Sequence, residues 1–79
     1  MDNELRKIVG KQLMLIRKDQ ELSIESLADI THLAPSTISR YENGKGAMTL
    51  ENLSKIITSC NYDISIFFSQ CIAKMQKKQ

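Results

Sequence analysis

The sequence is short of the residues from which catalytic and metal sites are usually built. It has one histidine, His32, and two cysteines, Cys60 and Cys71, that stand eleven positions apart. No CxxC pair or Cys/His cluster supplies the four ligands of a structural metal site. Paired carboxylates in a pocket-forming context are also lacking, so no acid–base constellation can be assigned. We therefore expect no enzyme, no bound metal and no cofactor, and interpret the two thiols as core residues.

Long apolar runs are missing as well. No stretch approaches the roughly 18 residues of a membrane span, and the first residues, MDNELRK, lack the apolar core of a signal peptide. These absences predict a cytoplasmic protein without a membrane partner. The net charge of +2 is too balanced to indicate nucleic acid by itself. Any preference for DNA must come from where the charges are placed.

Glycine and proline are rare, and what remains is a helical pattern. Three glycines, one proline, 42% hydrophobic and 25% charged residues are typical of a compact helical domain, and 79 residues predict one domain, 1–79. Apolar residues recur at helical spacing in five segments. The segments begin near Leu5, Ile24, Pro35, Leu50 and Ile64. Ser23, Thr49 and Asp63 are suited to cap helices, and Gly44 is suited to end one. The sequence therefore predicts an all-α fold.

The third segment, residues 35–43, has two distinct faces. At about 100° per residue, Ile38 and Tyr41 fall on the inward side. The outward side holds only short hydrogen-bonding side chains around Arg40, a surface that fits the ~12 Å major groove of DNA. A merely solvated helix face is the simpler alternative. The short helix and tight turn in front of this segment favour a helix-turn-helix over residues 23–43.

Glu42 needs a separate explanation, because an acid that faces DNA would repel phosphate. It follows Arg40 by two residues and lies about 200° further around the helix, on the inward side. A buried carboxylate requires a partner. Arg17, on the shoulder of the first helix's apolar stripe, is the candidate for a structural ion pair. Two independent surface charges are the alternative.

A long segment resembles a known family. The residues from Val9 to Ile57, VGKQLMLIRKDQELSIESLADITHLAPSTISRYENGKGAMTLENLSKII, resemble without gaps the phage-repressor type of helix-turn-helix, also called the xenobiotic response element family. The groups in register are Leu22-Ser23, Leu27-Ala28, Ile38-Ser39 and Glu42-Asn43-Gly44-Lys45. The resemblance implies a five-helix, lambda-repressor-like DNA-binding domain with an extended C-terminal helix. It also implies a homodimer on a palindromic operator, and a partly buried salt bridge between positions 17 and 42.

The same resemblance implies DNA contacts by position. The implied base-contacting residues are Pro35, Ser36, Thr37, Ser39 and Arg40. Among them, Arg40 is the one side chain able to bind guanine O6 and N7 bidentately. We expect Asn43, Lys45 and Lys18 at backbone phosphates, which orient a protein without reading sequence.

Four positions depart from the family's pattern. His32 and Glu21 stand where turn glycines are usual, Ile24 replaces a phosphate-contacting glutamine, and Met48 replaces a common proline. A non-glycine residue at positive φ costs on the order of 1 kcal/mol. We expect these departures to change individual contacts and not the fold.

The chain continues past the DNA-binding core with the fifth helix and tail, residues 63–79, which we expect to mediate dimerisation. The predicted interface residues are Ile64, Ile66, Phe67 and Phe68. Ile66 lies opposite the main apolar stripe, so one face could cover the core and the other could meet a partner. Alternatively, Phe67 and Phe68 close the monomer core. A two-fold dimer would present two recognition helices one DNA turn, ~34 Å, apart.

The predicted function is a sequence-specific DNA-binding transcriptional regulator that acts on double-stranded operator DNA. A restriction-modification controller protein or a similar small repressor is the subtype that the length and the Phe67-Phe68 pair favour. With no sensory domain in the sequence, regulation would come from its own concentration or from a protein antagonist. The alternative is an antitoxin or another interaction module that masks a partner protein.

Overall fold

The computed structural model describes residues 3–77, and five α-helices follow one another along this part of the chain. They are α1 (Asn3–Asp19), α2 (Ile24–Thr31), α3 (Pro35–Glu42), α4 (Leu50–Ser59) and α5 (Ile64–Lys77). The predicted all-α, five-helix fold is confirmed. The ends of the predicted domain 1–79 and of the predicted segment 63–79, residues 1, 2, 78 and 79, lie outside the described residues. Within residues 3–77, no helix is long and apolar enough to cross a membrane.

The predicted helix boundaries rest on local hydrogen bonds. Ser23, Thr49 and Asp63 each accept a hydrogen bond, 3.0 to 3.1 Å long, from the backbone amide three residues later. These bonds satisfy amides that have no partner inside the helix. Gly44, just beyond α3, has a φ of +70°, the left-handed conformation that the sequence predicted there.

The core lies between the five helices, and α1 contacts most of the others. It packs against α3, α4 and α5, while α2 packs against α3 and α4. The largest fully buried side chains are Phe67, Leu13, Leu27, Ile38, Leu53, Ile56, Ile57, Val9, Cys60 and Cys71. Burial of each large apolar side chain contributes about 1.5 to 3 kcal/mol. Both cysteines are free thiols in this core. In the described part of the chain, no three histidine, cysteine or acidic residues come together as metal ligands.

Backbone contact between α1 and the end of α3 occurs at Gly10. A Cβ atom at Gly10 would lie 2.3 Å from the carbonyl oxygen of Tyr41 and 2.8 Å from that of Glu42. No side chain fits this gap without moving one of the helices. Glycine inside a helix costs about 0.5 to 1 kcal/mol relative to alanine, and here the close approach explains its presence. Gly10 therefore sets how α3 sits on α1.

The faces of α5 correct part of the dimer prediction. Phe67 has no exposed surface, whereas Ile64, Ile66 and Ile72 are 37%, 52% and 53% exposed. The ring of Phe67 lies in the monomer core, edge-on to the ring of Phe68 at a centroid distance of 5.2 Å. Phe67 was therefore wrongly placed at the dimer interface. Adjacent residues on a helix point about 100° apart, and here Phe67 points into the core whereas Phe68 packs against its edge and stays half-buried.

Candidate nucleic-acid interface

The turn between α2 and α3 has the geometry of a helix-turn-helix. His32 has a φ of +59°, and its backbone amide donates to the carbonyl oxygen of Ala28. Ala34 is extended, as the residue before a proline tends to be, and Pro35 opens α3. His32 thus adopts the left-handed conformation for which the family's pattern uses glycine. Glu21, between α1 and α2, does the same with a φ of +57°.

The structure places the predicted base-contacting residues on the open side of α3. Pro35, Ser36 and Arg40 are exposed, and Thr37 and Ser39 are half-buried. On the opposite side, Ile38 and Tyr41 are 0% and 4% exposed and belong to the core. The two faces expected from the helical periodicity are therefore present. Contact between the open face and DNA bases stays a prediction.

The predicted phosphate-contacting residues, Asn43, Lys45 and Lys18, are all exposed. The side-chain amide of Asn43 donates to the carbonyl oxygen of Ser39 at 2.8 Å and closes the last turn of α3. One of its two amide hydrogens remains for a phosphate. Lys18 lies in the last turn of α1. Lys45 lies in the loop between α3 and α4, and its backbone amide donates to the carbonyl oxygen of Arg40 at 2.8 Å.

The side chain of Arg40 lies over the loop that follows α3. A Cβ atom at Gly46, whose φ is +78°, would be 3.0 Å from Nη2 of Arg40. A cleft of about 260 Å³ opens between α3 and this loop. It is lined by Thr37, Arg40, Tyr41, Lys45, Gly46, Ala47, Thr49 and Asn52. Two of these residues are cations and none is a carboxylate, so the cleft suits an anion such as a phosphate group.

Glu42 is turned away from this surface by Arg17. Nε of Arg17 donates to Oε2 of Glu42 at 2.6 Å, and Nη2 donates to Oε1 at 3.0 Å. The third nitrogen, Nη1, donates to the carbonyl oxygen of Leu22 at 2.7 Å. The two side chains are only 10% and 6% exposed. Its hydrogen bonding to the Glu42 carboxylate raises the pKa of the Arg17 guanidinium above its usual value. The predicted ion pair is present, and it neutralises the acid of α3 inside the protein.

A second polar group joins α1 to α5 and was missed in the sequence. Gln12 is only 6% exposed. Its side chain donates to Oε1 of Gln70 at 2.6 Å and accepts a hydrogen bond from Nζ of Lys74, also at 2.6 Å. The hydroxyl of Tyr62 donates to the same oxygen of Gln70 at 2.9 Å. An open groove of about 670 Å³ lies beside these residues. Gln12 follows Ile8 by four positions and so lies on the core side of α1. A polar residue at such a position was the signal in the sequence that could have predicted this contact.

Apolar residues that keep exposed surface form a stripe on α5. Ile64, Phe68 and Ile72 are spaced by four residues and therefore share one side of the helix. Ile64 and Ile72 are exposed and Phe68 is half-buried. Ile66 is also exposed but points to the opposite flank, about 200° from Ile64. The predicted interface residues therefore do not form one surface. Ile72, which was not among the predicted interface residues, joins two of them.

The comparisons with known proteins agree with this architecture. A family model described as helix-turn-helix matches residues 13–67. The chain belongs to this helix-turn-helix family, and the resemblance noted in its sequence is confirmed. A protein of Methanothermobacter thermautotrophicus (strain Delta H), described as an HTH-type transcriptional regulatory protein, is 38% identical over 63 residues. This match covers 72% of the chain, which spans only 20% of the length of that curated relative.

Solved structures share the fold over nearly the whole chain. The clp gene regulator ClgR from Corynebacterium glutamicum superposes with a TM-score of 0.86 at 20% identity, over 94% of this chain and 79% of that one. The restriction-modification controller protein C.Esp1396I gives 0.83 at 25% identity, over 92% and 95%. The tetramer of C.Esp1396I in complex with its natural 35-base-pair operator gives 0.81 at 24% identity, over 91% and 95%.

Proposed function

We propose that this protein is a sequence-specific DNA-binding transcriptional regulator. The observation that carries the proposal is the open face of α3, which combines the exposed Ser36 and Arg40 with two half-buried hydroxyl residues, while Glu42 is held inside by Arg17. This removes the one negative charge that would oppose DNA on the recognition helix. Membership in the helix-turn-helix family supports the same function.

In this proposal, α3 lies in the major groove and its exposed residues meet base edges. Arg40 can donate two hydrogen bonds to a guanine, a contact worth roughly 1 to 3 kcal/mol of discrimination. The proposed base-contacting set remains Pro35, Ser36, Thr37, Ser39 and Arg40. Lys45, Lys18 and the free amide hydrogen of Asn43 would bind phosphates and orient the protein.

We further propose a homodimer that binds a palindromic operator in the cytoplasm. The exposed stripe of Ile64, Phe68 and Ile72 on α5 is the proposed contact surface. A two-fold axis through this surface would present two copies of α3 to successive major grooves, ~34 Å apart. The controller protein C.Esp1396I, which has the same fold, assembles as a tetramer on its operator. That likeness favours a controller protein or a similar small repressor as the subtype.

Selection of bound fragments from random DNA, followed by footprinting, tests the function. We expect a palindrome whose half-sites are centred about 10 base pairs apart or a multiple of that distance. Arg40→Ala should weaken binding by roughly 1 to 3 kcal/mol and relax the preference at one base pair. Lys45→Ala is the matched control, because loss of a phosphate contact weakens all sequences alike. Failure to enrich any sequence would refute sequence-specific binding.

The exposed stripe on α5 also supports a second candidate function, an interaction module or antitoxin that masks a partner protein. Gel filtration and DNA shift assays separate the two. A monomer that binds no selected DNA but co-purifies with a neighbouring gene product would favour the interaction module. A dimer that binds DNA without a second protein would favour the regulator. A protein antagonist would then be a further partner to look for.

A further inference from the structure

Tyr41 connects the recognition helix to the loop and helix that follow it. Tyr41 is only 4% exposed, and its ring is buried on the inward side of α3. The hydroxyl oxygen accepts hydrogen bonds from the backbone amide of Thr49, at 3.3 Å, and from Nδ2 of Asn52, at 3.2 Å. The hydroxyl therefore reaches from α3 to the first turn of α4, as buried tyrosines do when their polar end finds partners.

Both ends of the α3–α4 loop, residues 43–49, are attached to this one residue. At the start of the loop, the amide of Gly44 donates to the carbonyl oxygen of Tyr41 at 3.0 Å. At its end, the amide of Thr49 donates to the Tyr41 hydroxyl. Between these two points the loop carries Lys45 and forms one wall of the electropositive cleft beside Arg40.

We propose that the hydroxyl of Tyr41 is a positioning group for DNA binding. It fixes the position of the α3–α4 loop relative to α3, so that Lys45 reaches a phosphate while the open face of α3 lies in the major groove. This inference rests on the proposed function and adds a residue that faces away from the DNA. A loop ordered before binding avoids the entropy loss of being ordered on the DNA. Without the hydroxyl, Thr49 and Asn52 lose their acceptor and the loop loses its attachment at one end.

The two tyrosines of the chain provide a matched pair of variants. Tyr41→Phe removes the hydroxyl at the loop, whereas Tyr62→Phe removes the hydroxyl that binds Gln70 on the α5 side. Both should fold and lose a few degrees of melting temperature. For Tyr41→Phe we expect about three- to tenfold weaker binding, the range of one ordinary hydrogen bond. The probes are a random-sequence duplex of about 30 base pairs and the operator selected above, and the loss should be similar for both. Tyr62→Phe should bind like the unmodified protein.

The dependence of affinity on salt and a double-mutant cycle test how Tyr41 acts. Loss of one phosphate contact reduces the slope of log affinity against log salt by about 0.9 at most. If the Tyr41 hydroxyl places Lys45 at a phosphate, Tyr41→Phe already weakens that contact. Lys45→Ala should then cost clearly less affinity in the Tyr41→Phe background than in the unmodified protein. Additive effects, or equal affinities for the two Tyr→Phe variants, would overturn the positioning role. If the unmodified protein itself bound neither duplex, the proposed function would fail instead.

Discussion

Helix α1 holds α3 and α5 through two differently built contacts. Against α3, the backbones touch at Gly10, and seven residues further along α1 Arg17 forms a buried, bidentate ion pair with Glu42. Against α5, the bonds of Gln12 to Gln70 and Lys74 lie beside an open groove. A buried charge left alone is far more costly than a neutral group left beside water. Breaking the polar contact between α1 and α3 should therefore cost more than breaking the polar contact between α1 and α5.

The largest effect should follow from breaking the ion pair. Glu42→Ala leaves the guanidinium of Arg17 buried without its carboxylate, and we expect a loss of about 3 kcal/mol in the free energy of unfolding. Urea denaturation followed by circular dichroism measures it. The double variant Arg17→Met, Glu42→Leu should recover much of this loss, because it leaves no unpaired charge. An unchanged midpoint for Glu42→Ala would contradict the stabilising role of the pair.

A smaller but still clear loss should follow from widening the α1–α3 contact. Gly10→Ala places a methyl group against the carbonyl oxygens of Tyr41 and Glu42. Alanine favours the helix itself, but the forced shift of α3 should outweigh this gain, with a net loss of about 1 to 3 kcal/mol. Lys11→Ala, at the exposed neighbouring position, should change stability by less than about 0.5 kcal/mol. A Gly10→Ala protein more stable than the original would show that the two helices can separate freely.

Changes on the α5 side should cost less and leave α3 undisturbed. Gln70→Ala removes the partner of the buried Gln12 amide and should lower the free energy of unfolding by about 1 to 2 kcal/mol. The affinity of a dimer for DNA should remain within twofold at protein concentrations where dimers are intact. Thermal unfolding and DNA shift assays on the same preparation make this comparison. Equal losses for Gln70→Ala and Glu42→Ala would remove the distinction between the two contacts.

The smallest effect concerns the core thiols at alkaline pH. Burial raises the pKa of Cys60 and of Cys71. The folded protein then holds these protons more tightly than the unfolded chain, so this contribution to stability is complete below the ordinary thiol pKa of about 8.5. It is lost as pH rises through the folded-state pKa. Because both thiols are buried, labelling by a thiol reagent at pH 8 should proceed at the rate of unfolding and accelerate in urea. Immediate labelling without urea would contradict burial of the thiols.

Much of the fold could be predicted because its signals are local. Ser23, Thr49 and Asp63 cap helices through bonds that span three residues, and the left-handed residue Gly44 follows α3 directly. The polar outward face of α3 also follows from periodicity alone. The pairing of Arg17 with Glu42 spans 25 positions, and helical periodicity together with the family resemblance predicted it.

The dimer surface shows where local pattern was insufficient. Phe67 and Phe68 are alike in type, and Ile64, Ile66 and Ile72 are alike as well. Only the rotation of α5 on α1 decides that Phe67 enters the core and that Ile72 does not. The same rotation brings Gln12 and Gln70, which are 58 positions apart, within hydrogen-bond distance.

The sequence by itself therefore determined the helices, their ends and the helix-turn-helix, because each depends on residues within about one turn of one another. The tertiary structure alone decided that Gly10 must be small, which side of α5 stays exposed, and that the hydroxyl of Tyr41 ties α4 to the recognition helix. These features arise where distant segments meet. They depend on how the helices pack, which periodicity along one helix does not specify.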